Sequence, residues 1–557
     1  MKHDDRLISD FTCALPASAW TDADSNLFKP IAKVPPQTWR IIDYKSRLFN
    51  GRMLQATSPA APSLTIPLNA RGWHAVSIGM TERSVGSCGI ELRLTGMKHW
   101  QTIFAYDGEP HEEPWIFADL TGRDLEIRYP RDLSMFPSTP DDFCARIMSV
   151  RLRPVAPEHV PVVSTKRHRP LVYTNDGHGI FYMGEKPGAH LVEDALNRFA
   201  DSDWSVCCFS NGGADLVNYP SNVGTRFGED GWDWSRRGDG NLKAMLEGTL
   251  ALGVDPMKVA IEKAHAQGQE FWMYIRPQAW IATPADDHAF RSRFFQAHPE
   301  WRCMEPDGTP DSKMSIAFEG VRRQLNAIAG EGLERGADGI TLAFNRGYPM
   351  VRYEEPVRRR FEQRHGLDPV GLPDTDPRLQ LMWAEFMTEW LRELRGLLDG
   401  FGPAPHGGGR RKLTVMTGSD SVWNGQFGYD VAAWARAKLV DVVISFPKSG
   451  DIKNGYVNTA EYVKLLAGTG VPHYASFGSN FDHRKTLAAI RKRAHERYQA
   501  GADGLARWDA YGYLARLDLD DPEIQRLWCE HYMGPQDNFM REVAGITLEY
   551  FGPGLAL

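Results

Sequence analysis

From residue 171 onward, short apolar runs alternate with segments of helical period, and this rhythm constrains the fold more than any other feature of the chain. The runs fall at 171–174, 204–209, 270–275, 339–344, 412–417, 440–446, 472–477 and 504–508, which makes eight. Helical-period segments lie between them, among them 377–400 and 484–500. The second carries Leu487, Ile490, Ala494 and Tyr498 at spacings of three and four, with Gly501 placed to end it. Eight strand–helix units predict an α/β fold of the parallel (β/α)8 TIM-barrel type with enlarged loops. A doubly wound sheet is the alternative, but no G-x-G-x-x-G opens its first helix.

Two of the runs open on the same tetrapeptide. Gly336-Ala337-Asp338-Gly339 leads through an apolar run to Asn345, Arg346 and Tyr348, and Gly501-Ala502-Asp503-Gly504 leads to Trp508, Asp509 and Tyr511. Asp338 and Asp503 precede their strands and so lie at the bottom of a barrel, where structural roles are expected. Chemistry belongs at the opposite ends. Strand one exits into Asp176 and His178, strand three into Arg276 and Trp280, and strand four into Asn345 and Arg346, followed by Glu354. Strand five leads to Asp420 and Trp423, strand six to Lys448, strand seven to Ser479 and Asn480, and strand eight ends at Trp508 with Asp509 after it.

Residues 1–160 read differently. Near-alternating patterns at 73–80, 89–94, 115–120 and 145–152, separated by Gly, Pro, Asp and Ser clusters, predict a β-sandwich domain of jelly-roll-like form. A linker is expected at 154–170, punctuated by Pro157 and Pro161, and the barrel domain at 168–557. A chain of 557 residues is long enough for two such domains. The longest barrel loops follow strands two to four, and 211–241 is rich in glycine and carries Trp232 and Trp234, as a lid or binding wall would.

The net charge of -7 leaves no electrostatic footprint for nucleic acid. No run of about 18 apolar residues is present, so no membrane span is expected. The first residues show no apolar signal region, which makes a cytoplasmic location the expectation unless a signal has been trimmed. Seven cysteines form no C-x-x-C pair and read as reduced thiols. His178 has no second histidine at i+2 or i+4, so no metal is expected, and without a G-x-S-x-G elbow or phosphate loop no cofactor is either.

Carboxylates, arginines, amides and indoles converging on one mouth suit a polyhydroxylated substrate. Glycoside hydrolysis requires two carboxyl groups, one to protonate the leaving oxygen and one to attack or to activate water. Asp509 and Glu354 are the expected catalytic pair, chosen from Asp176, Glu354, Glu355, Asp420 and Asp509. Asp509 follows an apolar strand, where desolvation would raise its pKa. Asp176, His178, Arg276, Trp280, Asn345, Arg346, Asp420, Trp423 and Trp508 are expected to bind substrate. Arg276 and Arg346 could anchor a carboxylate or sulfate on an acidic sugar, or pair with acids across the barrel. Glu354 could equally serve the start of the helix that follows it, and Asp420 a turn.

Motif order adds a resemblance. His298-Pro299-Glu300-Trp301-Arg302, Asp307-Gly308, Phe318-Glu319-Gly320-Val321-Arg322, Gly336-Ala337-Asp338-Gly339-Ile340 and the segment from Gly501 to Asp509 resemble the family-10-like glycosyl hydrolase proteins over roughly residues 170–515. The resemblance implies a glycoside hydrolase-type TIM barrel and sugar chemistry. Relatives with a D-G-I-H-F-D-D-Y form carry acids in the fourth strand, whereas this chain has Ala343 and Phe344 there, then Asn345 and Arg346. No catalytic template therefore carries over residue by residue. The expected function is hydrolysis of a glycosidic bond in an oligo- or polysaccharide. The alternatives are a non-catalytic carbohydrate-binding barrel and a lyase or isomerase acting on a sugar acid. Carbohydrate is the expected partner, and self-association into a homo-oligomer is left open.

Overall fold

The computed structural model describes residues 5–22, 37–45, 50–80, 88–105, 111–131, 144–182, 184–229, 239–280, 292–447, 455–479, 486–510, 512–533 and 550–551. Trp232, Trp234, Lys448, Asn480 and Tyr511 lie outside them. The chain divides into two compact units, one of residues 1–168, 481–496 and 511–557, the other of residues 169–480 and 497–510.

The second unit is a closed barrel of eight parallel strands. They are β1 (Leu171–Asn175), β2 (Val206–Ser210), β3 (Glu270–Ile275), β4 (Gly339–Ala343), β5 (Lys412–Thr417), β6 (Val442–Ser445), β7 (His473–Ser479) and β8 (Gly504–Trp508). Every expected run contributes a strand. The run at 440–446 overshoots β6 at both ends because Val440 and Phe446 are buried without joining the strand, so apolar content alone does not mark where pairing stops. Alternate side chains from all eight strands fill the interior, including Val172, Cys208, Trp272, Tyr274, Ala343, Met416, Ile444, Tyr474, Ala506 and Trp508. The period of two puts the intervening residues against the surrounding helices. Phe344 faces outward in this way, 6.0 Å from Trp390 and 5.9 Å from Trp434 between ring centres.

Trp390 belongs to the longest helix, Pro377–Gly400, in the expected position. Asp376 caps it by accepting the Arg378 N–H, Pro377 occupies its first turn, and Leu379, Met382, Trp383, Phe386, Met387, Trp390, Leu391 and Leu394 bury one face.

The repeated Asp of the two tetrapeptides has a defined task. Asp338 Oδ2 accepts the N–H of Phe271 on the neighbouring β3 at 2.8 Å, and Asp503 Oδ2 accepts the N–H of His473 on β7 at 3.0 Å. Asp441, just before β6, does the same to Leu413 on β5 at 2.8 Å. Each satisfies a backbone donor near the start of the preceding strand that the parallel ladder leaves open. Register at the barrel bottom is thus set partly by side chains.

The first unit carries the sheets of a β-sandwich, mostly antiparallel, with Trp20–Asp22 running parallel to Trp39–Lys45. One orders Arg6–Ile8, Ser149–Pro154, Trp73–Met80 and His111–Asp119, and another Leu64–Ile66, Leu125–Arg128, Cys88–Leu94 and Gln101–Ala105. A third contains Ala145–Ile147, Asn50–Ala56, Trp39–Lys45 and Trp20–Asp22, with Tyr550–Phe551 paired to its Trp39–Lys45 strand. The segment expected as a plain linker forms two short helical turns, Pro157–His159 and Val160–Val163. Each has a proline in its first turn, where the missing N–H costs nothing. No helix among the described residues is long and apolar enough to cross a membrane.

Candidate active site

Parallel pairing of β8 with β1 sets Tyr173 opposite Arg507, and so carries the ends of both strands to one side of the barrel mouth. There the Asp509 N–H donates to Thr174 Oγ1 at 2.8 Å, and the same hydroxyl approaches Asp509 Oδ1 at 3.4 Å. Asp509 adopts a left-handed backbone with φ of 45°. A short polar side chain tolerates that region better than most residues, and the Thr174 contact helps hold it there.

The first strand delivers a second acid. At the end of β1, Asn175 Oδ1 accepts the Gly177 N–H at 2.8 Å, and this turn presents Asp176. Asp176 Oδ1 accepts from the Tyr274 hydroxyl at 2.9 Å and from Arg276 Nη2, while Arg276 Nε donates to the Tyr274 oxygen at 2.6 Å. The three form a closed triangle at the exit of β3. Asp176 keeps 27% of its side-chain surface open, against 12% for Arg276.

This setting drives the two acids apart. Burial pushes the Asp509 carboxyl well above the usual range, and the nearby Asp176 charge pushes it further, against the pull of Arg276, Arg346 and Thr174. For Asp176 burial works in the same upward direction, but the charges of Arg276, His178 and Arg346 outweigh it and hold the carboxyl below its ordinary value. The two carboxyls are thus shifted in opposite directions, as a pair dividing acid and base roles between them would be.

Trp508 closes the floor. It is 4% exposed and meets Tyr274 edge-on at 5.5 Å and Phe446 at 5.6 Å. The guanidinium carbons of Arg276 and Arg346 lie 5.5 and 5.3 Å from its ring centre. The indole therefore organises cations more than it offers an open face to a sugar. His178 Nδ1 donates to the Asp176 carbonyl at 2.7 Å, its ring 5.6 Å from Phe227.

Four of the remaining expected residues, Glu354, Trp280, Asp420 and Trp423, are engaged in holding the structure. Glu354 is fully buried, and its Oε1 accepts the Met304 N–H at 3.2 Å and the Arg352 N–H at 3.0 Å. Burial raises its carboxyl to about 7 despite those donors. It ties a hairpin to the start of the helix Glu355–His365. Trp280 is fully buried, its indole N–H donating to Gln278 Oε1 at 3.2 Å. Asp420 caps the short helix Ser421–Gly425 by accepting the Trp423 N–H at 2.8 Å. Trp423 is 4% exposed among Tyr348, Phe427 and Tyr429. Asn345 and Arg346 stand at the mouth, in the turn that follows β4.

Two residues of the site escaped the sequence reading. Tyr274 was legible in hindsight, because it precedes Arg276 by two and therefore shares its face. Thr174 was one polar residue in an apolar run, and nothing local marked it. Among the described residues no group of three or more His, Cys, Asp or Glu side chains is placed to hold a metal.

No protein-family model matches the chain, and no curated protein matches it by sequence. Among solved structures it is similar to the glycoside hydrolase domain of PgaB (BpsB) from Bordetella bronchiseptica, with 13% identity and a TM-score of 0.39 over 65% of this chain and 98% of that one. It is also similar to an alpha-galactosidase from Thermus thermophilus (11%, TM-score 0.32, 90% and 94% covered). A dextranase from Flavobacterium johnsoniae gives comparable figures (10%, TM-score 0.32, 90% and 60%). None points to the family-10-like proteins specifically, and likeness this slight carries no argument about chemistry. The carboxyl pair and its surroundings have to carry it.

Proposed function

We propose that this chain is a glycoside hydrolase in which Asp509 is the general acid and Asp176 the ionised partner. The observation that carries the reading is two carboxyl groups at one barrel mouth in unlike settings, Asp176 bound by Arg276 and Tyr274 and Asp509 held at Thr174, which shift their proton affinities in opposite directions. Asp509 donates its proton to the leaving glycosidic oxygen. Asp176 either attacks the anomeric carbon or takes a proton from the attacking water, according to whether the two groups stand about 5–5.5 Å or 6.5–9.5 Å apart across the bound sugar. Arg276 and the Tyr274 hydroxyl orient the Asp176 carboxylate and keep it ionised, and Thr174 fixes the backbone that aims Asp509. Glu354, spent on backbone donors, has no part in this scheme.

A panel of nitrophenyl glycosides in both anomeric forms would test it. Once an active substrate is found, Asp509→Asn and Asp176→Asn should each lower kcat by at least about 10²-fold. The pH profile should fall on the acid side as Asp176 takes up a proton and on the alkaline side as Asp509 loses one. Asp509→Asn should abolish the alkaline limb. Near-normal turnover in both variants would sink the assignment.

A further inference from the structure

The exit of β4 holds a polar pair that the proposed acid–base chemistry leaves unused. Ala343 faces the barrel interior and Phe344 faces the helices; beyond Ala343 the chain leaves the strand in a turn, where the Arg346 N–H donates to the Ala343 carbonyl at 3.2 Å and the Asn345 N–H to the Met416 carbonyl at 3.0 Å. Asn345 is 8% exposed, and its Oδ1 is buried with no hydrogen-bond partner among the described residues. A buried amide oxygen without a donor is costly, and such a group calls for an explanation.

Its neighbour is the complementary case. Arg276 is committed to Asp176 and Tyr274, so it has no fork to spare for a ligand. Arg346 is half-buried over Trp508 at 5.3 Å, yet it makes no ion pair or side-chain hydrogen bond with any described residue. Arg276 is thus an internal strut, whereas the Arg346 guanidinium, whose charge acts on Asp176 and Asp509, spends no hydrogen bond on a described side chain. A planar five-donor fork beside an unsatisfied acceptor fits a planar anion next to a hydroxyl.

We infer that the sugar entering this mouth carries a carboxylate, as a hexuronic acid does, gripped by Arg346 while Asn345 Oδ1 accepts a hydrogen bond from an adjacent hydroxyl. The inference rests on the hydrolase reading for its setting but is tested separately from it. The chain's net charge of -7 argues against a polyanion held by long-range attraction, and a single local guanidinium reading one carboxylate needs no such field.

Calorimetric titration at low salt with glucuronic acid, galacturonic acid, glucose 6-sulfate and glucose would test it, alongside nitrophenyl glycosides of the same sugars in both anomers. At least one uronic acid should bind 10-fold or more tighter than glucose. Arg346→Gln should erase that preference, and Arg346→Lys should restore only part of it, since an ammonium lacks the fork. Equal binding of uronic acid and glucose, or a preference that survives Arg346→Gln, would overturn the inference. Tighter binding of the sulfated sugar than of either uronic acid would overturn the carboxylate assignment. Turnover of neutral glycosides that depends on Asp509 but shows no uronic preference would leave the hydrolase reading standing and this inference refuted. Binding of a uronic acid that depends on Arg346, with no glycoside turned over, would do the reverse.

Discussion

At the scale of single residues, the decisive contrast is between two acids shifted the same way but of different duty. Asp509, half-buried, and Glu354, fully buried, both have carboxyls raised by desolvation, so the direction of the shift alone could not separate them. Their partners separate them. Glu354 is enclosed by the backbone N–H groups of Met304 and Arg352, whereas Asp509 faces a second acid and two arginines. Glu354→Gln should therefore leave turnover within a few-fold of wild type while changing stability, as steady-state kinetics and thermal melts on one preparation would show. Gly177, between Asp176 and His178, has φ of 68°, and a Cβ there would stand 2.3 Å from the Ser210 carbonyl oxygen. Gly177→Ala meets both a disfavoured backbone region and a rigid obstacle. It should cost roughly 1–3 kcal/mol in chemical denaturation and displace Asp176, so that activity falls with stability. A melt indistinguishable from wild type would refute that account of the turn.

At the scale of elements, the region beyond β3 and β4 is held by one amide. Gln278 is buried, and its Nε2 donates to the carbonyls of Met314 and Pro349 at 2.8 and 2.9 Å. Its Oε1 accepts from the Met314 N–H at 3.1 Å and the Trp280 indole at 3.2 Å. The paired strands Arg302–Met304 and Pro310–Met314 are thereby fastened to the loop that follows β4. Gln278→Ala strands four polar partners in a dry site and should destabilise the fold by about 3 kcal/mol or more, with hydrogen exchange accelerated first at 302–314. Uniform exchange behaviour would argue against this fastening. The segment was legible only as a motif, since His298-Pro299-Glu300-Trp301 carries no period that reveals a hairpin. By contrast, the helix Leu487–Gln499 followed from its spacing, with Leu487, Ile490 and Ala494 buried and Gly501 at φ of 96° beyond its end.

At the scale of the whole molecule, buried acids give stability a direction with pH. Glu354 moves from an ordinary 4.5 to about 7, and Asp215, also buried, from 3.8 to about 7. A carboxyl with a raised folded pKa stabilises fully below its unfolded value and loses that contribution as pH rises through the folded one. Asp176 is held low and acts oppositely, contributing above the ordinary carboxylate range and failing as acid protonates it. Thermal stability should therefore decline between about pH 5 and 8, and Glu354→Gln should make that decline shallower. An unchanged slope would show that Glu354 does not titrate in this window. The sequence by itself determined the eight-strand rhythm, the bottom-of-barrel place of Asp338 and Asp503, and the strand ends where charge collects, because these follow from local periodicity and from which side of a strand a residue lies. Tertiary structure decided which charges meet. Closure of β8 onto β1 joins Asp509 to Thr174, residues 335 apart in sequence, and the triangle of Asp176, Tyr274 and Arg276 needs two strands in register. Proton affinity depends on distance and desolvation in space, and neither has a signature along a chain.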